Sequence, residues 1–125
     1  MISQQSTDDD DKMTKEECKQ AITIQASTFL NLSICYFLQG DYRKCISRAT
    51  ESIDLQPGVK AYYRRAQALA KINDFWGATK DLKEALKLDP TDPNNFGNEL
   101  ARFEQAALAK DKKSDKKLQG FFDRM

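Results

Sequence analysis

The sequence predicts an all-α fold: an array of two stacked helical hairpins closed by one long C-terminal capping helix. Three observations carry that expectation. Two segments, ending at Pro57 and Pro90, repeat one order of large apolar, small and turn-forming residues at a spacing of roughly 33 to 34. Apolar residues recur at helical intervals, with no strand-like alternation of any length. The chain has 125 residues, 31% of them charged. That is one small domain at most, and it suits an array in which each unit buries its face on the next.

Residues 1–13 stand apart as a tag remnant. Asp8, Asp9, Asp10, Asp11 and Lys12 read as the enterokinase site of expression vectors, with Met13 as the start of the native segment. The net charge of +1 becomes roughly +4 without residues 1–12. Residues 14–25 extend the first helix toward its N-terminus. Residues 26–58 form the first repeat, 59–92 the second, and 93–125 a capping helix with a basic tail.

Within the first repeat, Phe29, Leu32, Ser33, Tyr36, Cys45, Ala49, Ser52 and Pro57 follow the pattern W-x2-L-G-x2-Y, A-x3-F, P with conservative replacements. The second offers Tyr62, Arg65, Ala66, Leu69, Ala78, Leu82, Ala85 and Pro90 at matching places. Both units resemble the tetratricopeptide repeat. Small residues let paired helices approach, and large ones such as Phe29, Tyr36, Ile46, Tyr62, Leu69 and Leu82 fill the space between them. Gly40 and Asn73 tolerate the turn that ends each first helix, while Asp41 and Asp74 cap each second one. Ile53, Leu55, Leu86 and Leu88 precede the prolines that stop the second helices. After Pro90, Phe96, Leu100, Phe103 and Ala107 form one stripe of the long last helix.

The composition excludes several classes. The chain has no histidine and its three cysteines, Cys18, Cys35 and Cys45, lack ligand spacing, so no metal site, cofactor or catalytic residue is expected. Cys35 and Cys45 are expected to be buried reduced thiols, which points to a cytoplasmic setting. No apolar run approaches the roughly 20 residues of a bilayer span, so no membrane partner is expected. The charge balance is too mild for a nucleic-acid binder.

The first helix of each unit should line a concave surface. Asn31, Ile34, Phe37 and Leu38 then face Lys60, Tyr63, Arg64 and Gln67 across a groove that is apolar on one wall and cationic on the other. Lys60 and Arg64 are four apart and share a helix face, so with the Asn31 amide they form a grip for a carboxylate. An extended acidic peptide fits such a groove.

Asn31, Leu32 and Ser33, together with Lys60, Ala61, Tyr62, Tyr63, Arg64, Arg65 and Ala66, resemble the second and third repeats of two-carboxylate-clamp domains in co-chaperones. The resemblance implies binding of the C-terminal Glu-Glu-Val-Asp tail of a cytosolic heat-shock chaperone. Asn31 would contact the terminal carboxylate and backbone, and Lys60 that carboxylate or an acidic side chain. Arg64 would hold a second acidic group or a backbone carbonyl, with Arg65 completing the doubled arginine common in the motif. The final segment, with Lys116, Lys117, Leu118, Phe121 and Phe122, is similar to the tail of large FKBP-type or cyclophilin-type immunophilins. This implies a peptidyl-prolyl isomerase parent whose catalytic domain is absent from this chain. The remaining lysine and asparagine of a complete clamp would come from an earlier repeat, expected to precede residue 1.

Two further segments bear on partners. The lysine-rich stretch from Lys110 to Lys117, followed by Leu118, Phe121 and Phe122, reads either as a solvated helix end whose lysines suit the C-terminal dipole or as a basic helix of the kind calmodulin takes. A homodimer is expected through the first helix, where Ile22, Ile24 and Phe29 lack a preceding repeat to pack on. The contrasting expectation is a structural scaffold whose groove stays empty.

Overall fold

Thr14 starts the first helix by reaching forward. Its Oγ1 accepts a hydrogen bond from Glu17 N–H at 3.1 Å, the Thr-x-x-Glu arrangement that satisfies donors left open at a helix start. The computed structural model describes residues 12–124, and α1 runs unbroken over Lys15–Leu38. Most of the expected tag at 1–13 lies outside the described residues.

Gly40 turns the chain back. Its φ of +80° is the left-handed conformation that glycine adopts without cost, and it brings Asp41 N–H to Tyr36 O at 2.9 Å. Asp41 then caps α2, Tyr42–Leu55, by accepting from Lys44 N–H at 3.2 Å. The second hairpin repeats the device: α3 covers Val59–Lys71, Asn73 has φ +67°, and Asp74 N–H meets Leu69 O at 2.8 Å. Asp74 accepts from Gly77 N–H at 3.0 Å and opens α4, Phe75–Leu88. Asparagine replaces glycine here because its short side chain tolerates the left-handed region. Gln56 is extended and Asp89 has left the helical region at φ −138°, ψ 86°; proline disfavours the helical conformation in the residue before it, so α2 and α4 stop there. The last helix, α5 over Phe96–Asp123, begins where Asp92 accepts from Phe96 N–H at 2.6 Å and Gly97 N–H at 3.0 Å.

The described residues thus form five helices and no strand, a tetratricopeptide-type helical array. Hairpin α1/α2 packs on hairpin α3/α4 through α2 and α3, and α5 covers α4. Small residues hold the closest approaches: Ser33, Cys45, Ala49, Ala66, Ala78 and Ala85 have no exposed surface. Ser52 Oγ donates to Ala26 O at 2.8 Å across the first hairpin, so a buried hydroxyl does not go unpaired. Leu82 is fully buried, and Phe96 joins it with Ala66, Ala78 and Ala85 in one core that Tyr62, Leu69, Leu100 and Phe103 flank.

Arg65 and Asp81 tie the second hairpin together. The guanidinium gives two hydrogen bonds of 2.7 Å to the two carboxylate oxygens, and Nη1 reaches Thr50 Oγ1 of α2 at 3.2 Å. This bidentate pair holds the Arg65 pKa above its ordinary value against the opposing effect of burial. The second arginine of the doubled motif is therefore committed to the frame, not to the groove.

Two expectations are corrected. Cys45 is buried, but Cys35 is exposed, because no other helix among the described residues packs on its side of α1. The expectation that no apolar run approaches a membrane span also fails: α1 is long and apolar enough to cross a membrane by length and composition. Residues 21–40 contain no charge. The polar residues that interrupt the run are partly masked, since Thr23 and Thr28 hydroxyls bond back to Lys19 O and Ile24 O at 3.0 and 2.9 Å.

Candidate functional site

Helical spacing sets Lys60, Tyr63 and Arg64 on one side of α3, and hairpin stacking turns that side toward α1. With Ile34 of α1 they line a cavity of about 540 Å³, completed by Val59, Asn94 and Phe96. Four of the eight expected groove residues therefore meet in one place. Phe37 and Gln67 line an adjacent cavity of about 490 Å³ with Lys71, Glu99, Arg102 and Phe103. Asn31 and Leu38 line neither cavity; both are exposed on α1, one turn to either side of Ile34.

Arg64 lines the first cavity and touches Phe37, which lines the second. Its guanidinium lies 5.1 Å from the centroid of the Phe37 ring, a cation-π contact that orients the group without neutralising it. Among the described residues neither Lys60 nor Arg64 has a carboxylate within ion-pair distance, whereas neighbouring Arg65 is fully engaged. The Arg64 charge is felt at Cys45, where it opposes the burial that pushes the thiol up to about 11.

Tyr63 is the hinge of the arrangement. Its ring stacks on Phe96 with centroids 4.5 Å apart and planes 17° from parallel, and its hydroxyl accepts from Gln67 Nε2 at 2.7 Å. Burial, and then the charge and hydrogen bond of Glu99, raise the Tyr63 pKa, with Arg64 and Arg102 pulling the other way. Gln67 Oε1 is buried with no hydrogen-bond partner among the described residues.

Sequence reasoning missed Asn94, Phe96, Glu99 and Arg102 as groove residues. Phe96 was legible as the start of an apolar stripe, yet nothing local announces that the α4–α5 turn folds it against Tyr63. The walls combine two cations that have no ion-pair partner among the described residues with an apolar floor. Among the described residues the site offers no nucleophile paired with a base and no cluster of metal-ligating groups.

Residues 59–92 match the family model of the tetratricopeptide repeat. The chain is 30% identical over 116 residues to protein unc-45 homolog B of Danio rerio, covering 90% of the chain and 12% of the relative. It is 35% identical over 68 residues to protein unc-45 homolog B of Xenopus tropicalis, covering 54% of the chain and 7% of the relative. The chain thus spans about an eighth or less of these relatives. The matched repeat contains α3 and α4, and with them Lys60, Tyr63, Arg64 and Gln67.

Proposed function

We propose that this chain is a chaperone-associated protein-interaction module whose groove binds an acidic C-terminal peptide, with the Glu-Glu-Val-Asp tail of a cytosolic heat-shock chaperone as its partner. The observation that carries the reading is the pair Lys60 and Arg64 at one cavity, both without a carboxylate partner among the described residues. Two cations held close over an apolar floor lack only an anion. Lys60 takes the terminal carboxylate or an acidic side chain, Arg64 a second acidic group, and Ile34 and Phe37 the aliphatic side chains. Asn31 and Leu38 extend the grip along the exposed edge of α1.

The setting is cytoplasmic, and the parent is an immunophilin of FKBP or cyclophilin type, a reading supported by the tail around Lys116, Lys117, Leu118 and Phe121. The chain itself acts by binding and not by catalysis. Calorimetric titration with a Met-Glu-Glu-Val-Asp peptide tests this reading. Saturable binding that is lost with Lys60→Ala plus Arg64→Ala is expected, at roughly 1.5 to 3 kcal/mol per charged hydrogen bond. Affinity unchanged by the double substitution would refute it.

A second partner, calmodulin, is favoured by the exposed Leu118 and Phe121 on the lysine-rich end of α5. The start of that stretch is engaged elsewhere. Lys110 Nζ donates to Asn73 O at 2.7 Å, and Trp76 Nε1 to Asp111 at 3.0 Å. Calmodulin would take the segment from Lys112 onward, and a shift in the fluorescence of Trp76, whose indole donates to Asp111 of α5, or in α5 heteronuclear signals, only with calcium present, is the expected result. No shift at saturating calcium–calmodulin would remove it.

A further inference from the structure

Beyond Arg64 the cationic face of α3 continues. Lys60, Arg64, Gln67 and Lys71 stand at steps of four, three and four, the spacing that keeps side chains on one side of a helix. Lys71 lines the second cavity, of about 490 Å³, where Arg102 of α5 joins it. Neither has a carboxylate within ion-pair distance among the described residues. Glu99 lines the same cavity, but its carboxylate is engaged with the Tyr63 hydroxyl.

Resting on the reading of Lys60 and Arg64 as a carboxylate grip, we infer that the second cavity is a subsite for a further acidic side chain, held by Lys71 and Arg102 about five residues before the C-terminus of the bound peptide. Spacing sets the position. Eleven positions separate Lys60 from Lys71, roughly 16 Å along α3, and an extended peptide covers that length in about five residues. A pentapeptide whose terminal carboxylate sits at Lys60 reaches only about 13 Å, short of Lys71. The partner is therefore an extended acidic tail whose recognition begins upstream of its last five residues.

The floor of this cavity is apolar, made by Phe37, Ala70, Phe103 and Ala106, so a purely apolar side chain is the competing occupant. Charge argues for the acid. An apolar group would strip water from Lys71 and Arg102 and give them no partner in return. A glutamate lays its methylenes on the floor and turns its carboxylate to the two cations. Lys71 and Arg102 are both exposed, so pairing with either is worth little by itself. The subsite therefore tunes an affinity that Lys60 and Arg64 establish.

Calorimetric titration of the full chain at low ionic strength with three N-acetylated hexapeptides tests the inference. Each ends in Met-Glu-Glu-Val-Asp, and the residue before that is Glu, Gln or Leu. The Glu peptide is expected to bind about three- to fivefold more tightly than the Gln peptide, and more tightly than the Leu peptide. Lys71→Ala plus Arg102→Ala is expected to erase the difference between Glu and Gln. Lys80→Ala plus Lys112→Ala removes the same charge from exposed sites that line neither cavity, and is expected to keep it. Equal affinities for the Glu and Gln peptides, tightest binding by the Leu peptide, or loss of the difference in both double variants would overturn the subsite and leave the grip standing. No saturable binding of any of the three would remove the grip, and the subsite with it.

Discussion

Arg65 grips Asp81 with two parallel hydrogen bonds of 2.7 Å, and the Asp81 side chain is only 4% exposed. Removing one partner strands the other as a buried charge, which costs roughly 3 to 5 kcal/mol. Arg65→Ala should lower the urea midpoint accordingly, and Arg65→Lys should recover only part of the loss, since a single ammonium cannot span both oxygens. Arg64→Ala, one residue away, should change stability by less than about 1 kcal/mol. Similar midpoints for the two alanine variants would contradict this division between frame and groove.

The thiols should separate by reactivity. Cys18 and Cys35 are exposed and Cys45 is buried, so alkylation of the native chain at mildly alkaline pH should label two sites, with the third opening on denaturation. Labelling of all three at one rate in the native state would show that the first hairpin is open.

Cys45 also sets a pH dependence. Its folded pKa is raised from 9.0 to about 11, so the thiol keeps its proton in the fold after the unfolded chain has lost it. The stabilising contribution is complete below pH 9 and is lost as pH rises toward 11, by roughly 2 to 3 kcal/mol at most. A Cys45→Ala variant should lose stability less steeply across that window. Parallel stability curves for the two chains would count against it.

The turns give a paired test. Gly40 holds φ +80° and Asn73 φ +67° in equivalent places. Gly40→Ala should cost about 1 to 2 kcal/mol, while Asn73→Gly should cost nothing or stabilise slightly. Thermal melts of both variants measure the difference, and an unaffected Gly40→Ala would mean that the turn rearranges.

The features written in local chemistry were legible in the sequence. Gly40, Asn73, Asp41, Asp74 and the two prolines each act on bonds within a few residues, so their roles needed no knowledge of tertiary packing. The helical array followed from their repetition. Relationships that depend on what lies beside a helix were not legible. Cys35 shares its helix with buried Ser33, and whether it too is covered depends on a neighbour outside the hairpin. Arg64 and Arg65 look alike in the chain, but a rotation of roughly 100° between them sends one to the groove and the other to Asp81. Lys60 and Arg64 could be placed together from spacing alone; their shared cavity with Phe96 could not.

The reading of the groove as a carboxylate grip is tested most directly by comparing one peptide in two forms. A Met-Glu-Glu-Val-Asp peptide with a free C-terminus and its C-terminal amide differ by a single charge at the end that Lys60 is assigned to hold. Titrated calorimetrically against the same chain, the free acid should bind about tenfold or more tightly, and Lys60→Ala should erase that difference. Equal affinities for acid and amide in the unaltered chain would contradict the account.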